Sequence, residues 1–156
     1  MQFLIDNTVL SNFAVAGRLE LIRKILGESA LTTIAVQNEY QEGVNRGKFP
    51  SIELDFDVIE LTEQEKRLMD SFPTGLHAGE TSCLAAAIHR KGGVLTDDQD
   101  ARKVAAQMQI PVSGTLGLLK RAVGTEVLAL DEANALLRTM IASGYRSPIS
   151  NFEELL

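Results

Sequence analysis

The sequence contains only one cysteine, Cys83, among its 156 residues, so no internal disulfide can form. This excludes a secreted scaffold held together by disulfides. Long apolar runs are also missing: the longest, residues 83–88, has six residues, whereas a membrane-spanning helix needs about 20. No basic residue precedes Asp6, which is atypical of a secretory signal peptide. We therefore expect a soluble cytoplasmic protein that does not enter membranes.

Basic residues are outnumbered. The chain has 15 Lys and Arg against 21 Asp and Glu, giving a formal net charge of −6, so it lacks the broad basic surface of a duplex-DNA binder. A nuclease that contacts phosphates through metal ions remains compatible with this charge. The contents of 45% hydrophobic and 23% charged residues are ordinary for a globular domain and exclude a disordered chain.

Signature motifs of several enzyme classes are absent. The chain has no Gly-x-Gly-x-x-Gly after its first apolar segment, no Gly-x-Ser-x-Gly and no His-Glu-x-x-His. Residues 43–48 resemble a phosphate-binding loop only superficially, because three residues separate the glycines and Phe49 follows the lysine. Thr8, rather than a second aspartate, stands two positions after Asp6, which argues against a dehalogenase-type phosphatase.

Short apolar segments alternate with helical patterns along the chain. The expected strands are residues 3–5, 30–33, 56–61, 94–96 and 110–112. The expected helices are residues 8–16, 18–26, 35–45, 62–72, 78–90, 98–108, 115–123 and 131–142. Because strands separated by helices pair in parallel, we predict an α/β fold of three layers, α/β/α, around a central parallel sheet of about four or five strands. Residues 1–156 form one domain in this interpretation, with a helical extension at about residues 131–156.

Acidic residues follow the ends of the predicted strands. Asp6 directly follows the first strand, and Asp97 and Asp98 directly follow the strand at residues 94–96. Glu39 lies just over one turn into the helix after the second strand, and Glu80 lies in the first turn of its helix. Ligands of open parallel sheets bind beyond the carboxyl ends of the strands. We therefore expect these acids, which are distant in sequence, to meet at one end of the sheet.

Glu80 is the most informative of these acids. It heads the apolar stripe of its helix, which continues through Cys83, Leu84, Ala87 and Ile88. A carboxylate that faces the core is costly unless it is paired or binds a metal, and no Lys or Arg lies on this stripe. The alternative is an ordinary glutamate at a helix start, stabilised by the helix dipole.

Clustered carboxylates would oppose folding unless a proton or a cation neutralised some of them. Two like charges about 4 Å apart repel by about 4 kcal/mol at an effective dielectric constant near 20. The available donors are oxygens, because His77 and His89 do not have metal-site spacing and Cys83 is alone. Hard oxygen donors favour Mg²⁺ or Mn²⁺ over zinc.

Each acid also has an ordinary structural interpretation. Asp6 could cap the helix that starts at Thr8, and Asp98 could cap its own helix or pair with Arg102. Glu39 considered alone is a solvated helix residue. The joint pattern, rather than any single acid, favours a site. A further set of acids is interpreted as solvated surface: Glu60, Glu63, Glu65 and Asp70.

With these residues placed, the sequence resembles PIN-domain nucleases from about residue 3 to residue 144. The resemblance rests on the strand ending in Asp6 with Thr8 two residues on, Ile-Ala-Val-Gln-Asn-Glu at 34–39, Ala-Gly-Glu at 78–80 and Leu-Thr-Asp-Asp at 95–98. The sequence is most similar to a small prokaryotic subgroup that carries Thr-Asp-Asp-x-x-Ala-Arg, here residues 96–102, and a Gly-Thr-Leu-Gly turn, here residues 114–117. Each motif is weak alone, but their order and spacing are fairly specific together.

The resemblance implies a ribonuclease that uses Mg²⁺ or Mn²⁺ and a metal-activated water to hydrolyse RNA phosphodiester bonds. The residues that match the catalytic and metal-binding positions of the family, called the acidic quartet below, are Asp6, Glu39, Glu80 and Asp98. Asp97 is either an additional metal ligand or points away. Thr8 matches a small hydroxyl position near the first acid. Arg102 is a supporting residue that orients Asp98, contacts a phosphate or forms a structural ion pair.

Many similar proteins resemble the VapC-type toxins of toxin–antitoxin pairs, which a small partner protein inhibits. We therefore expect single-stranded or structured RNA as substrate, a small antitoxin protein as partner, and a homodimer. The apolar residues between positions 10 and 26 form either a dimer face or ordinary core. A catalytically weak PIN-like module that binds nucleic acid or protein is the alternative function.

Overall fold

Five short strands form one parallel sheet in the order β3-β2-β1-β4-β5. In the computed structural model, which describes residues 1–155, the strands are β1 (Phe3–Ile5), β2 (Ala30–Thr33), β3 (Asp57–Ile59), β4 (Gly93–Leu95) and β5 (Val112–Ser113). The helices are α1 (Asn7–Val15), α2 (Glu20–Leu26), α3 (Ile34–Asn45), α4 (Glu63–Met69), α5 (Ala78–Arg90), α6 (Gln99–Gln107), α7 (Thr115–Gly124) and α8 (Leu130–Ala142). The predicted α/β fold with a parallel sheet flanked by helices is confirmed.

All five strands are parallel, but the order in which they are added to the sheet reverses beside β1. From β1 the chain passes to β2 and then to β3 on one side, and it returns to β4 and β5 on the other side. Leu4 of β1 is therefore in register with both Leu31 of β2 and Val94 of β4. In open α/β sheets, a crevice forms at the carboxyl ends of the strands where the strand order reverses. Here that crevice lies beyond Ile5 and Leu95.

Helix α5 has the bounds that its apolar stripe predicts, and it packs against β1, β2 and β4. Its buried face includes Cys83 and Leu84, both 0% exposed. The helix ends at Lys91, which has a left-handed backbone conformation with φ of 54°. No helix within the described residues is both long and apolar enough to span a membrane.

The apolar residues between positions 10 and 26 belong to the core. Leu10, Phe13 and Ile22 are 0% exposed and Leu21 is 1% exposed. Their helices are covered within the same chain, because α1 contacts α8 and α2 contacts α7. Ordinary core packing is therefore the interpretation that these four residues support, and the homodimer stays a prediction.

Some predicted boundaries were wrong. Strand β3 is shorter than the predicted segment 56–61, because its partner β2 ends at Thr33, opposite Ile59, where α3 begins. Residues 60 and 61 consequently have no neighbouring strand to pair with. The carboxyl-terminal extension is helical only in α8 and in a 3₁₀ turn at Phe152–Leu155, and residue 156 lies outside the described residues.

Glu65 corrects the interpretation of the second acidic set as solvated surface. Glu60, Glu63 and Asp70 are exposed, but Glu65 is 0% exposed. Its carboxylate accepts hydrogen bonds from Thr62 N at 2.9 Å and Arg90 Nε at 3.0 Å. Burial alone would raise the pKa of Glu65, but the bonds from Arg90 and Thr62 outweigh it and lower the pKa to about 2. Glu65 thus joins α4 to α5 through a buried ion pair.

Candidate functional site

The acidic quartet lies at the carboxyl end of the sheet. Asp6 follows β1 directly, and Asp98 precedes α6 in the connection from β4. Glu39 comes from α3, which follows β2, and Glu80 comes from the first turn of α5. Asp6 is 1% exposed and Glu80 is 7% exposed, while the other two are half-buried. Four acids from separate parts of the chain are therefore placed around the predicted crevice.

Two threonine hydroxyls hold the carboxylate of Asp6. Thr96 Oγ1 donates to Asp6 Oδ2 at 2.7 Å, and Thr8 Oγ1 donates to the same oxygen at 3.3 Å. The other oxygen, Oδ1, is buried and has no hydrogen-bond partner among residues 1–155. Burial raises the pKa of Asp6, and the nearby charge of Asp98 adds to this effect. Because a buried acceptor without a partner is costly, Oδ1 is suited to a cation or a proton.

The proposed N-cap role of Asp6 is not observed. Asp6 occupies the N-cap position of α1, but its side chain makes no capping hydrogen bond.

Glu39 approaches the start of α5 because residue 79 is glycine. A Cβ atom at Gly79 would collide with Glu39 Oε2. The hydroxyl of Ser82 in α5 donates to Gly79 O within the same helix and lies 2.7 Å from Oγ1 of Thr33, the N-cap residue of α3. Glu39 Oε2 is a second buried oxygen without a partner in the described part of the chain. Burial and the charge of Asp6 raise the pKa of Glu39.

Glu80 experiences the combined field of the other three acids. Burial and the charges of Asp6, Asp98 and Glu39 raise its pKa from 4.5 to about 8. Glu80 is therefore mostly protonated at pH 7 unless a cation is bound nearby. This carboxyl group is buried and forms no ion pair with a Lys or Arg among residues 1–155, as the apolar stripe of α5 predicted.

Asp98 and Asp97 have different surroundings although they are adjacent. Asp98 Oδ2 caps α6 by accepting a hydrogen bond from Ala101 N at 2.9 Å. Asp97 accepts hydrogen bonds from the backbone N–H and the hydroxyl of Thr115 and from Asn12 Nδ2. Both oxygens of Asp97 are thus engaged by α7 and α1, and the side chain points away from the quartet.

Arg102 acts on the backbone rather than on Asp98. Its Nη1 atom donates to Thr96 O at 3.0 Å, and no ion pair with Asp98 is found within residues 1–155. Arg102 therefore fixes the end of β4, from which Thr96 holds Asp6. Contact between Arg102 and a phosphate stays a prediction.

Thr96 is the site residue that the sequence interpretation missed. It is 0% exposed, and its single hydroxyl both donates to Asp6 Oδ2 and accepts the N–H of Asp98 at 3.2 Å. Its sequence signals were its place at the end of a predicted strand, just before the two aspartates, and at the head of the Thr-Asp-Asp-x-x-Ala-Arg motif. Its function depends on Asp6, 90 positions earlier, so spacing along the chain could not reveal it.

The quartet offers donors that suit a hard divalent cation. Asp6 Oδ1 and Glu39 Oε2 are buried acceptors that lack partners, and the pKa values of Asp6, Glu39 and Glu80 are all raised. In residues 1–155, no three Asp, Glu, His or Cys side chains are already gathered tightly enough to coordinate one ion. Binding would therefore require these carboxylates to move closer together. Oxygen donors of this kind fit Mg²⁺ or Mn²⁺.

Without divalent cations, the free energy of unfolding should fall as the pH rises from about 4.5 to about 8. The pKa of Glu80 is 4.5 ordinarily and about 8 in the folded chain, so the folded state binds more protons than the unfolded state in this range. Each unit of pKa difference corresponds to about 1.4 kcal/mol, which makes the full effect a few kcal/mol. Urea unfolding in EDTA, followed by circular dichroism at several pH values, would measure it.

Two variants make this measurement specific. Glu80→Gln should remove most of the slope, whereas Glu63→Gln, which changes an exposed glutamate, should keep it. Stability that stays constant or increases between pH 5 and 8 would contradict the electrostatic coupling within the quartet.

Comparison with known families yields one match. A family model described as DUF3368: PIN domain matches residues 2–156, nearly the whole chain. No significant match to the chain was found among curated proteins.

Proposed function

The chain belongs to the PIN-domain family, a family of nucleases that generally use divalent metal ions, and from this premise we propose that it is a metal-dependent endoribonuclease. The observation that carries the proposal is the buried carboxylate of Asp6. It is oriented by Thr96 and Thr8, keeps one oxygen without a partner, and shares the crevice with three further acids.

In the proposed site, the acidic quartet binds the cation. Asp6, Glu80 and Asp98 would hold the principal ion, and Glu39 would help to hold it, a second ion or the attacking water. When bound, Mg²⁺ or Mn²⁺ neutralises charge that develops on the phosphoryl group and lowers the pKa of water. Glu80 would release its proton as the cation binds, because a carboxylate must be deprotonated to coordinate a metal.

The threonines and Arg102 position the quartet. Thr96 restrains the Oδ2 atom of Asp6 and the backbone of Asp98 simultaneously. Thr8 contacts Asp6 Oδ2 and also accepts the N–H of Asp97 at 2.9 Å. Arg102 holds the carbonyl of Thr96. These contacts limit the motion of the Asp6 carboxylate before any cation or substrate binds.

We also propose a biological role for the protein, as the toxin of a toxin–antitoxin pair. Resemblance of the motifs to VapC-type proteins supports a cytoplasmic toxin whose activity a small antitoxin protein suppresses. A homodimer is also proposed, with an interface formed by residues other than the buried ones between positions 10 and 26.

The purified protein should cleave a labelled, unstructured RNA when Mg²⁺ or Mn²⁺ is present and should stop when EDTA is added. Either cation should also raise the melting temperature, because a ligand that binds only the folded state stabilises it. A DNA of the same sequence tests the preference for RNA. Cleavage that persists in EDTA would contradict the metal-dependent mechanism.

The alternative is a catalytically weak PIN-like module that binds nucleic acid or protein. A protein that binds cations and RNA but produces no fragments with any divalent ion would support this alternative and exclude the nuclease.

A further inference from the structure

A pocket of about 360 Å³ lies at the carboxyl end of β5, next to the segment that carries Asp97 and Asp98. It is bordered by the start of α6, by β5, by the first turns of α7 and by the loop after α8. Asp97 and Arg102, which flank Asp98 in sequence, form its inner side. Its volume lies within the range of about 300–1,000 Å³ that is typical of ligand-binding pockets. None of the quartet residues lines the pocket, which is linked to the quartet through the segment that carries Asp97 and Asp98.

The charged side chains of this pocket are mostly basic. Arg102, Lys120 and Arg146 line it, against Asp97 as the lone acid in the lining. None of the three cations forms an ion pair with a carboxylate within the described part of the chain. Both oxygens of Asp97 are already engaged by Thr115 and Asn12. With three cations against one carboxylate, the lining carries a formal charge of +2 in a protein whose formal net charge is −6.

The Gly-Thr-Leu-Gly turn at residues 114–117 makes this arrangement possible. A Cβ atom at Gly114 would collide with Asp97 Oδ1 and lie 3.1 Å from Arg102 Nη1, and a Cβ atom at Gly117 would collide with Ser113 Oγ. Any larger residue at either position would crowd the pocket wall. No residue of this turn belongs to the quartet. The shape of the basic pocket explains why glycine occupies positions 114 and 117.

An aromatic ring completes the lining. Tyr145 follows α8 and lies in the pocket wall next to Arg146. Tyr145 is half-buried: it packs against the core and also contributes to the pocket lining. Proteins that bind single-stranded nucleic acid combine cations, which contact the backbone, with aromatic rings, on which bases stack.

We propose that this basic pocket binds one nucleotide of the RNA substrate next to the cleaved phosphodiester. Lys120 and Arg146 contact its phosphate, and Tyr145 stacks on its base. The inference rests on the proposed nuclease function, because it assigns a substrate contact to the same crevice. The acidic quartet repels the phosphates of RNA when no metal ion is bound. The basic side chains of the pocket attract these phosphates and so provide the charge complementarity that the quartet lacks.

The test compares two double variants that remove equal charge. Lys120→Ala with Arg146→Ala removes the pocket cations, and Lys24→Ala with Arg67→Ala removes two exposed cations on α2 and α4. Binding of a fluorescein-labelled single-stranded RNA is measured by anisotropy with Mg²⁺ in the Asp6→Asn background, in which we expect cleavage to be at least about 100-fold slower. The pocket variant should bind at least about tenfold more weakly and show a smaller salt dependence, while the control should bind as the parent does.

Two further measurements separate stacking and turnover from general charge effects. Tyr145→Leu should weaken RNA binding about tenfold. When the same two pocket substitutions are made in the active protein, KM for RNA cleavage should rise while kcat stays nearly unchanged. Melting temperatures of all variants check that the exposed substitutions leave the fold intact.

The possible results separate this inference from the proposed function. Cleavage by the wild type with an unchanged KM in the pocket variant would overturn the pocket inference alone. Lack of cleavage by the wild type, with RNA binding that still depends on Lys120 and Arg146, would overturn the nuclease and keep the pocket. Unchanged RNA binding, together with loss of binding to a polyglutamate peptide, would assign the pocket to an acidic protein partner and overturn the inference.

Discussion

Asp6→Asn should reduce metal-dependent RNA cleavage by at least about 100-fold without unfolding the protein. The substitution keeps the shape of the side chain and an oxygen that can accept the hydrogen bond from Thr96. It removes the negative charge that would bind the cation at the centre of the crevice. A bound metal contributes several kcal/mol of transition-state stabilisation, and about 1.4 kcal/mol corresponds to a factor of ten in rate. Initial rates with labelled RNA, at saturating Mn²⁺, measure the loss.

The same variant has a second expected property that separates a metal site from a structural role. In EDTA, Asp6→Asn should melt at a higher temperature than the wild type, because it removes a buried charge near Glu39 and Glu80. Mg²⁺ should then stabilise the variant less than it stabilises the wild type.

Asp57→Asn is the matched control, since Asp57 is exposed at the amino end of β3, the end of the sheet away from the crevice. Full activity of Asp6→Asn, or equal losses in both variants, would contradict the assignment of the site.

Glu65→Ala should lower the free energy of unfolding by about 3 kcal/mol. It removes one partner of a buried ion pair, which typically costs about 3–5 kcal/mol, and the side chain of Arg90 keeps 26% of its exposure, so we expect the lower end. The substitution also removes the bond from Thr62 N that closes the capping box of α4. Urea unfolding at pH 7, followed by circular dichroism, measures the change.

Glu63→Ala provides the control on the same helix. Glu63 is exposed and contacts Lys66 at 3.4 Å, and such surface pairs contribute only about 0–1 kcal/mol.

The contribution of Glu65 to the free energy of unfolding should also depend on pH. Because the folded pKa of Glu65 is about 2 and its ordinary value is 4.5, this contribution is complete above pH 4.5 and decreases as the pH falls toward 2. A loss that is similar for Glu63→Ala and Glu65→Ala would contradict the importance of the buried pair.

The helical part of the fold could be predicted well where local pattern and burial agree. Helix α5 was predicted with its observed bounds, because its apolar stripe fits a helical period and two glycines follow it closely. The capping box at Thr62 is a signal of the same local kind, since its residues are three positions apart and interact within one turn. Strand β3 was predicted too long because its end depends on where β2 stops.

Contacts between distant segments were the part that could not be predicted. Glu65 looked like one more acid on a polar helix, since Arg90 stands 25 positions later. Thr96 looked like an ordinary strand residue until the sheet brought it against Asp6. Asp97 and Asp98 could not be distinguished by spacing, and only the position of Thr115 shows which of them turns away.

The sequence by itself determined the alternation of strands and helices, the acids that follow the strands, and hence the type of fold and the end of the sheet where a site would lie. These features follow from periodicity and from short-range contacts, which are encoded in neighbouring residues. The tertiary structure alone decided which oxygens remain without partners, which acids raise one another's pKa, and which cations border the crevice. Those properties depend on distances between side chains that are remote in sequence, and on the exclusion of water that only packing produces.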